Sequence, residues 1–223
     1  MSLTRLDLVS LRCVAEATLQ AHPDLNLIVG DNGAGKTTVL EAIYVLGRGR
    51  SFRAPKLSGL IATGAEEATI FGETSDPDGK SGVRITNSGM EVRVDGQGGS
   101  SVAELAHRLP VQLIDPGVHS LVQGGPGERR RFLDWGVFHV KHEFLPGWRT
   151  FRRALQQRNA ALRQGADDAT VAAWDPDLLK GAAIVDRCRR SYIREIEPIL
   201  RLYVSKFVDI DVKLRYRPGW SDT

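Results

Sequence analysis

The eight residues Gly30–Thr37 constrain this chain more than any other part of its sequence. They read Gly-Asp-Asn-Gly-Ala-Gly-Lys-Thr and fit the pattern G-x-x-x-x-G-K-[ST] of a phosphate-binding loop. Glycines let such a loop curl until its backbone N–H groups converge on phosphate oxygens, and the following helix directs its positive dipole end at the same anion. In this chemistry Lys36 bridges the β- and γ-phosphates, and the Thr37 hydroxyl is a ligand of Mg²⁺. We expect a nucleoside triphosphate with Mg²⁺, contacted by Gly30, Asp31, Asn32, Gly33, Ala34, Gly35, Lys36, Thr37 and Thr38.

The residues on either side of the loop have the pattern that the motif requires. Leu25–Val29 predicts a short strand that ends at the loop, and a helical period begins at Thr37. We expect Gly47 and Gly49 to end this helix. Its predicted apolar side is formed by Val39, Leu40, Ile43, Tyr44 and Leu46.

The rest of the first half predicts strands, which separates the classes of P-loop protein. A GTPase needs the guanine-binding sequence N-K-x-D, which the chain lacks, and a small-molecule kinase usually continues with helical lid segments. We expect strands at Leu3–Leu8, Val14–Leu19, Ala68–Thr74, Gly82–Thr86, Met90–Val94 and Val111–Ile114, with a short helix at Val102–Arg108. An antiparallel sheet beside the nucleotide favours an α/β P-loop NTPase of the ATP-binding-cassette type. Two alternatives stay open: a small-molecule kinase, and a binding module whose loop is only structural.

The second half of the chain is predicted to be helical and basic. Residues 128–223 hold 19 Lys and Arg against 13 Asp and Glu, whereas residues 1–127 hold 11 against 14. Helices are expected at Trp148–Arg163 and Asp177–Val208, the second kinked or split at Pro198, and a half-buried strand at Val208–Arg217. A basic half indicates a polyanionic partner such as DNA. The arginines proposed for this contact are Arg129, Arg130, Arg131, Arg149, Arg152, Arg153 and Arg158, although the first three could instead pair with acids or pack in a dimer interface.

Composition excludes several other classes. Of the 223 residues 42% are apolar and 26% charged, which is typical of a globular protein. Cys13 and Cys188 have no metal-binding or redox spacing, so we expect a reducing, cytoplasmic environment without disulfides. No signal peptide or membrane span is predicted. His139 and His142 have the spacing of two metal ligands on a helix, but no third ligand is evident.

Three stretches resemble one known family. Leu25–Phe52, which contains the loop, Leu121–Trp135 and Gln157–Arg163 are similar to segments of the RecF family of bacterial recombination mediator ATPases, which are related to SMC heads. The resemblance extends over the whole chain. It implies a P-loop head of the ABC/SMC type, with an antiparallel β subdomain and a helical arm. We expect the ATP-binding head lobe at residues 1–137 and the start of the arm at residues 138–223.

The resemblance also implies partners and further site residues. Heads of this family form an ATP-dependent homodimer, bind single-stranded or gapped DNA, and act with RecO and RecR in recombinase loading, DNA repair, DNA replication and the SOS response. By position, Gln112 would be the glutamine that touches Mg²⁺ and the attacking water, and Arg12 would lie near the nucleotide. An ordinary polar residue beside a buried strand is the alternative for Gln112.

Two motifs of this family do not occur in the chain. No apolar strand ends in Asp-Asp or Asp-Glu, the Walker B acids that hold Mg²⁺ and polarise the attacking water. A signature loop of the L-S-x-G-Q kind is absent too. We therefore expect a C-terminally truncated protein with an incomplete core sheet, which binds ATP without turning it over.

Overall fold

A computed structural model describes residues 2–219, which form two compact units. The division lies between Asp115 and Pro116. The domain boundary expected between residues 137 and 138 falls inside a helix of the second unit, Pro126–Val140.

The first unit is built on a six-stranded antiparallel sheet. Its strands are β1 (Ser2–Leu11), β2 (Val14–Gln20), β3 (Glu67–Ser75), β4 (Gly79–Thr86), β5 (Gly89–Val94) and β6 (Gln97–Gly98). They lie in the order β2-β1-β3-β4-β5-β6. Burial alternates along β3 and β4, as expected for strands with one face on a core and one in water. The structure confirms the five strands predicted between residues 3 and 94.

Two helices complete the first unit, α1 (Lys36–Arg48) and α2 (Val102–Arg108). Helix α2 starts where predicted, because Ser101 and Glu104 form a capping box that satisfies its first backbone donors. The buried side of α1 includes Ala42, Val45 and Leu46, whereas Leu40, predicted to lie on the apolar side, is 48% exposed. The core of the unit consists of Leu6, Leu8, Leu11, Ala42, Val45, Leu46, Leu60, Ala68, Ile70, Val83, Ile85, Val92, Leu105 and Leu109.

Two strands predicted beside the loop are not formed, which corrects those two strand predictions. Leu25–Val29 and Val111–Ile114 are irregular, and neither pairs with another segment in the described part of the chain. A strand needs a hydrogen-bonded neighbour as well as an apolar sequence, because unpaired backbone groups are costly to bury. Apolar side chains of both segments face solvent, since Leu27 is 84% and Ile114 81% exposed, whereas Val111 is partly buried against the core of the unit.

The second unit is helical. Its helices are α3 (Ser120–Gln123), α4 (Pro126–Val140), α5 (Phe144–Arg163), α6 (Asp168–Ala172) and α7 (Asp175–Val204). Helix α7 continues through Pro198, so of the two outcomes predicted there, a kink or a split, the split does not occur. The strand predicted at Val208–Arg217 is irregular because no neighbouring strand pairs with it in the described residues. It keeps the predicted alternation from 211 to 217, where even-numbered residues are half-buried and odd-numbered ones exposed.

Helices α5 and α7 pack closely through two glycines. An added Cβ on Gly147 would lie 2.5 Å from the Cγ2 of Ile184, and one on Gly181 would lie 2.5 Å from the backbone nitrogen of Phe151. Each glycine therefore marks a point where any side chain would push the helices apart. Among residues 2–219, no helix combines the length and the hydropathy needed to cross a bilayer.

Candidate nucleotide-binding site

The loop between Gly30 and Gly35 is formed by backbone conformations that favour glycine. Gly33 and Gly35 both have φ of 89°, in the left-handed region that side chains with a Cβ rarely adopt. At Gly35 an added Cβ would also lie 3.1 Å from the Cγ2 of Val14 in strand β2. The Ala34 N–H donates to the Asp31 carbonyl at 3.2 Å, which closes a turn within the loop. These constraints explain why the loop curls immediately before α1.

The N-terminus of α1 is available to an anion. Gly35 is its N-cap, no side chain accepts from its first backbone N–H groups, and its first turn contains no acid. These donors and the positive end of the helix dipole are therefore uncompensated by a carboxylate or hydroxyl of the chain. A phosphate group can accept from these N–H groups and can place its negative charge at the positive end of the dipole.

Lys36 and Thr37 lie at the start of this helix. The ammonium of Lys36 donates to the carbonyls of Gly30, at 2.8 Å, and Asp31, at 2.7 Å, so the side chain folds back over the loop. Thr37 is exposed, whereas Thr38 is buried, with its hydroxyl 3.7 Å from the thiol of Cys13. The loop, the ammonium and one free hydroxyl thus form the donor and ligand set expected for a nucleotide with Mg²⁺.

Arg12 lies in the turn between β1 and β2 and contacts α1 through Glu41. Its Nε donates to Glu41 Oε2 at 2.5 Å and its Nη2 to Oε1 at 3.0 Å, while the Ser51 hydroxyl donates to the same carboxylate. Burial raises the pKa of Glu41, but the hydrogen bonds from Arg12 and Ser51 and the charge of Arg12 outweigh it, so the net pKa lies below its usual value. Arg12 is therefore bound to a carboxylate of the chain.

The Arg12–Glu41–Ser51 cluster was not predicted from the sequence. Glu41 is wholly buried although it is ionised, and it joins the β1–β2 turn, α1 and the segment after α1. One signal was present: a glutamate on the buried side of an amphipathic helix, in line with Thr38 and Val45. The adjacent Cys13 thiol lies 3.9 Å from the Gly33 carbonyl, so the cluster holds the turn that contacts the loop.

Gln112 is not brought together with the loop. Its Oε1 accepts from Arg48 Nη2 at 3.4 Å, and Arg48 Nε donates to the Val111 carbonyl at 3.1 Å. Burial lowers the pKa of Arg48 to about 10. Arg48 ends α1, about 16 Å along the helix axis from Thr37 at about 1.5 Å per residue. In this structure Gln112 therefore lies at the far end of α1 from the other proposed Mg²⁺ ligand.

No cluster of acids, histidines and cysteines within residues 2–219 has the make-up of a metal site. His139, considered above as a metal ligand, instead packs edge-on against Trp135, with ring centroids 4.2 Å apart. Thr37, which the sequence predicts as the Mg²⁺ ligand of the loop, is exposed there.

The arginines proposed for DNA contact differ in their surroundings. Arg129 donates to the Gly124 carbonyl at 2.7 Å and stabilises the loop before α4, while Arg131 pairs with Glu128. Arg130, Arg152 and Arg153 are exposed and have no ion pair among the described residues. The structure thus gives Arg129 and Arg131 partners within the chain.

Comparison with known proteins agrees with this architecture. The family model described as RecF/RecN/SMC N terminal domain matches residues 2–120. Over 99% of its own length, the chain is 43% identical to the DNA replication and repair protein RecF of Pseudomonas putida (strain GB-1). It is also 43% identical to that of Stutzerimonas stutzeri (strain A1501). It spans 62% and 61% of the length of these two relatives.

Solved structures show the same fold. The recombination mediator protein RecF–ATP in the RecFOR pathway superimposes with a TM-score of 0.83 at 22% identity, over 92% of this chain and 57% of that one. The corresponding RecF–ATPrS structure gives a TM-score of 0.79. A family model that matches more than half of the chain, together with these relatives, leads to one assignment: the chain belongs to the RecF/RecN/SMC family and is a homologue of RecF.

Proposed function

We propose that this chain binds Mg-ATP at residues 30–38 and acts in DNA replication and repair as part of a RecF-type recombination mediator. The observation that carries the proposal is that the N-terminus of α1 has no side-chain cap and directly follows a glycine-rich loop. The side chain of Lys36 is already folded over this loop. Relatives named as DNA replication and repair proteins, and a relative of the same fold solved with ATP, support the same reading.

The roles of the loop residues follow from their chemistry. Backbone N–H groups of the loop and of the first turn of α1 would hold the phosphates. Lys36 would exchange its two carbonyl partners for phosphate oxygens, which bind an ammonium more strongly because they are charged. Thr37 would direct its exposed hydroxyl to Mg²⁺, whose charge offsets that of the phosphates. We assign the first unit to nucleotide binding and the second to the helical arm.

The wider function rests on the relatives. We propose that the chain is cytoplasmic, that it binds single-stranded or gapped DNA, and that RecO, RecR and a second copy of a RecF chain are its partners. For Arg12 we propose an indirect role: its bond to Glu41 holds the β1–β2 turn against the loop. The two bonds between Arg48 and the segment 111–112 support a structural role for Gln112.

The test is binding of a fluorescent ATP analogue to the 223-residue chain with Mg²⁺ present. We expect Lys36→Ala to weaken binding at least about tenfold, since a charge-assisted hydrogen bond contributes about 1.5–3 kcal/mol. Thr37→Ala should remove most of the Mg²⁺ dependence, and Thr37→Ser, which keeps the hydroxyl, should restore it. Phosphate release measured in the same samples should stay at background.

Arg93→Ala is the matched control, because this exposed arginine lies on β5, outside the loop and helix α1. Its affinity for the analogue should equal that of the unchanged chain. Failure of the unchanged chain to bind Mg-ATP at millimolar concentration would contradict the proposal and favour a purely structural loop.

A further inference from the structure

Helix α5 has a strongly basic character. Its 20 residues include five arginines and no aspartate or glutamate. Four of these arginines, Arg149, Arg152, Arg153 and Arg163, are exposed, and so is Gln156 between them. The buried residues of the helix are Phe144, Gly147, Ala154 and Ala161, which lie on its other side.

The exposed residues share one side of the helix. Residues three, four and seven apart lie on the same side of an α-helix, and the positions 149, 152, 153, 156 and 163 follow that spacing. From Arg149 to Arg163 the stripe is about 21 Å long, at a rise of about 1.5 Å per residue. We call these five residues the basic face of α5.

The arginines of the basic face lack the acidic partners that other arginines of the unit have. Arg158, the fifth arginine of α5, pairs with Asp175 at 2.8 Å, and Arg189 on α7 pairs with Asp134 at 2.7 Å. Within residues 2–219, none of the four arginines of the basic face forms an ion pair. Like charges held this close repel one another, so this arrangement costs free energy that a polyanion would recover.

The spacing suits a phosphate backbone. Duplex DNA carries a phosphate about every 3.4 Å along each strand, so a straight stripe of about 21 Å runs beside about six base pairs. The face offers no exposed aromatic side chain on which bases could stack, because Trp148 is half-buried with the guanidinium of Arg152 over its ring, 5.8 Å from the centroid. Its donors are guanidinium groups and one amide, which hydrogen-bond to phosphate oxygens.

We propose that the basic face of α5 is the surface through which the helical unit binds DNA, by contacts to backbone phosphates that do not depend on base sequence. The inference rests on the proposed function, because it assigns a place to the DNA contact proposed above. It adds Gln156 and Arg163 to Arg149, Arg152 and Arg153, which the sequence already indicated. It also leaves out Arg129 and Arg131, whose guanidinium groups already bind within the chain.

The test is the salt dependence of binding to a labelled 20-base-pair duplex, followed by fluorescence anisotropy with the 223-residue chain. We expect the quadruple variant R149Q/R152Q/R153Q/R163Q to lower the slope of log Kd against log salt by about 3 to 4, since each phosphate contact to duplex DNA contributes about 0.9. Its affinity near 0.1 M salt should fall about 100-fold. Two duplexes of unrelated sequence should give the same result.

Two matched variants test whether DNA binding depends on the position of the arginines in the unit and on their positive charge. R131Q/R187Q/R194Q/R201Q removes the same number of exposed arginines from the same unit, and three of these pair with Glu128, Glu143 and Glu197. We expect this control to change the slope of log Kd against log salt by less than about 0.9, which is the contribution of one phosphate contact. Replacing the four arginines of the basic face with lysine keeps their charge and should preserve most of the affinity. Circular dichroism should show the helical content of all variants to be unchanged.

The outcomes distinguish this inference from the proposed function. A chain that binds DNA equally well with and without the basic face, or that loses as much affinity in the control variant, would overturn the inference while leaving DNA binding intact. A chain with no measurable affinity for the duplex even at low salt would overturn the inference, and the proposed DNA binding would be overturned only if single-stranded and gapped DNA were not bound either. Binding limited to one of the two duplexes would contradict contact through phosphates alone.

Discussion

At the scale of single residues, the charge at Glu41 is held by its neighbours. A buried carboxylate is stable only when it is paired and hydrogen-bonded, and here Arg12 and Ser51 provide both. Removing one partner of a buried pair leaves the other charge unpaired, which costs far more than the pair itself contributes. Arg12 therefore affects the loop indirectly, by holding the β1–β2 turn that lies beside it.

We predict that Arg12→Ala lowers the free energy of unfolding by about 3 kcal/mol at pH 7, measured by urea denaturation. The folded-state pKa of Glu41 is lowered, so its contribution to stability is complete above its ordinary value of 4.5 and is lost as pH falls through the lowered pKa. Without Arg12, burial would instead raise that pKa. The variant should thus be most destabilised near neutral pH and should approach the unchanged chain as Glu41 becomes protonated in both.

Two further variants test this explanation. Arg5→Ala removes another arginine of the same strand–turn segment, but Arg5 and Asp7 form a surface pair at 3.0 Å, so we expect a cost below about 1 kcal/mol. R12A/E41Q leaves no buried charge and should recover part of the stability lost in Arg12→Ala. A double variant that is no more stable than Arg12→Ala would show that packing of the arginine, rather than the unpaired carboxylate, is responsible.

At the scale of elements, local patterns predicted what forms locally. Strands β3 to β5 and helix α2 were predicted correctly because alternation, turn residues and a capping box all lie within the segments themselves. Leu25–Val29 was predicted as a strand from the same kind of pattern and is irregular, because a strand also needs a neighbour that the segment does not encode. The close contact of α5 with α7 could not be predicted from the sequence for a related reason: it depends on which residue lies opposite Gly181.

The α5–α7 contact leads to a prediction about that glycine. Gly181→Ala should destabilise the helical unit by about 2 kcal/mol, because a Cβ there would lie 2.5 Å from the backbone nitrogen of Phe151 and the helices would have to separate. The thermal unfolding midpoint of the chain, followed by circular dichroism, measures the effect. In a helix without such a contact, alanine is more stabilising than glycine by about 1 kcal/mol. A loss of stability in Gly181→Ala would therefore identify the close contact with α5 as its cause.

Gly127→Ala provides the matched control for this substitution. Gly127 also lies in a helix of the second unit, α4, and an added Cβ there would meet no atom within 4 Å. We expect its stability to be unchanged or slightly increased. Equal losses in the two variants would mean that the contact between α5 and α7 is looser than the structure indicates.

At the scale of the whole molecule, the conformation of the loop was predicted, but its surroundings only in part. The motif specifies a loop and a helix that are contiguous in sequence, and both form as expected, with Lys36 folded back over the loop. Arg12 and Gln112 were assigned by resemblance, and their contacts depend on tertiary structure: one binds a buried glutamate and the other an arginine at the far end of α1. For Glu41 the one local signal is its place on the buried side of an amphipathic helix, and no local signal indicates Arg48 as the partner of Gln112.

The exposed apolar segment beside the loop leads to a prediction about the behaviour of the chain in solution. Leu25, Leu27 and Val29 are 81%, 84% and 76% exposed, and they lie on alternate residues of one short segment. Contiguous apolar surface of this kind drives association, unlike isolated apolar residues, which are common on protein surfaces. We expect the 223-residue chain to associate as its concentration rises, detected by light scattering coupled to size-exclusion chromatography.

The triple variant L25S/L27S/V29S should reduce that association and leave the thermal unfolding midpoint nearly unchanged, because the three side chains bury little surface in the chain itself. L162S/L179S is the control, since Leu162 and Leu179 are 52% and 68% exposed but lie singly on α5 and α7. It should leave association as it is. A triple variant that associates as before but unfolds at a much lower temperature would place these residues in a packed core and contradict their exposure. Reduced association with unchanged stability would identify the segment as the apolar surface that the chain presents to other molecules.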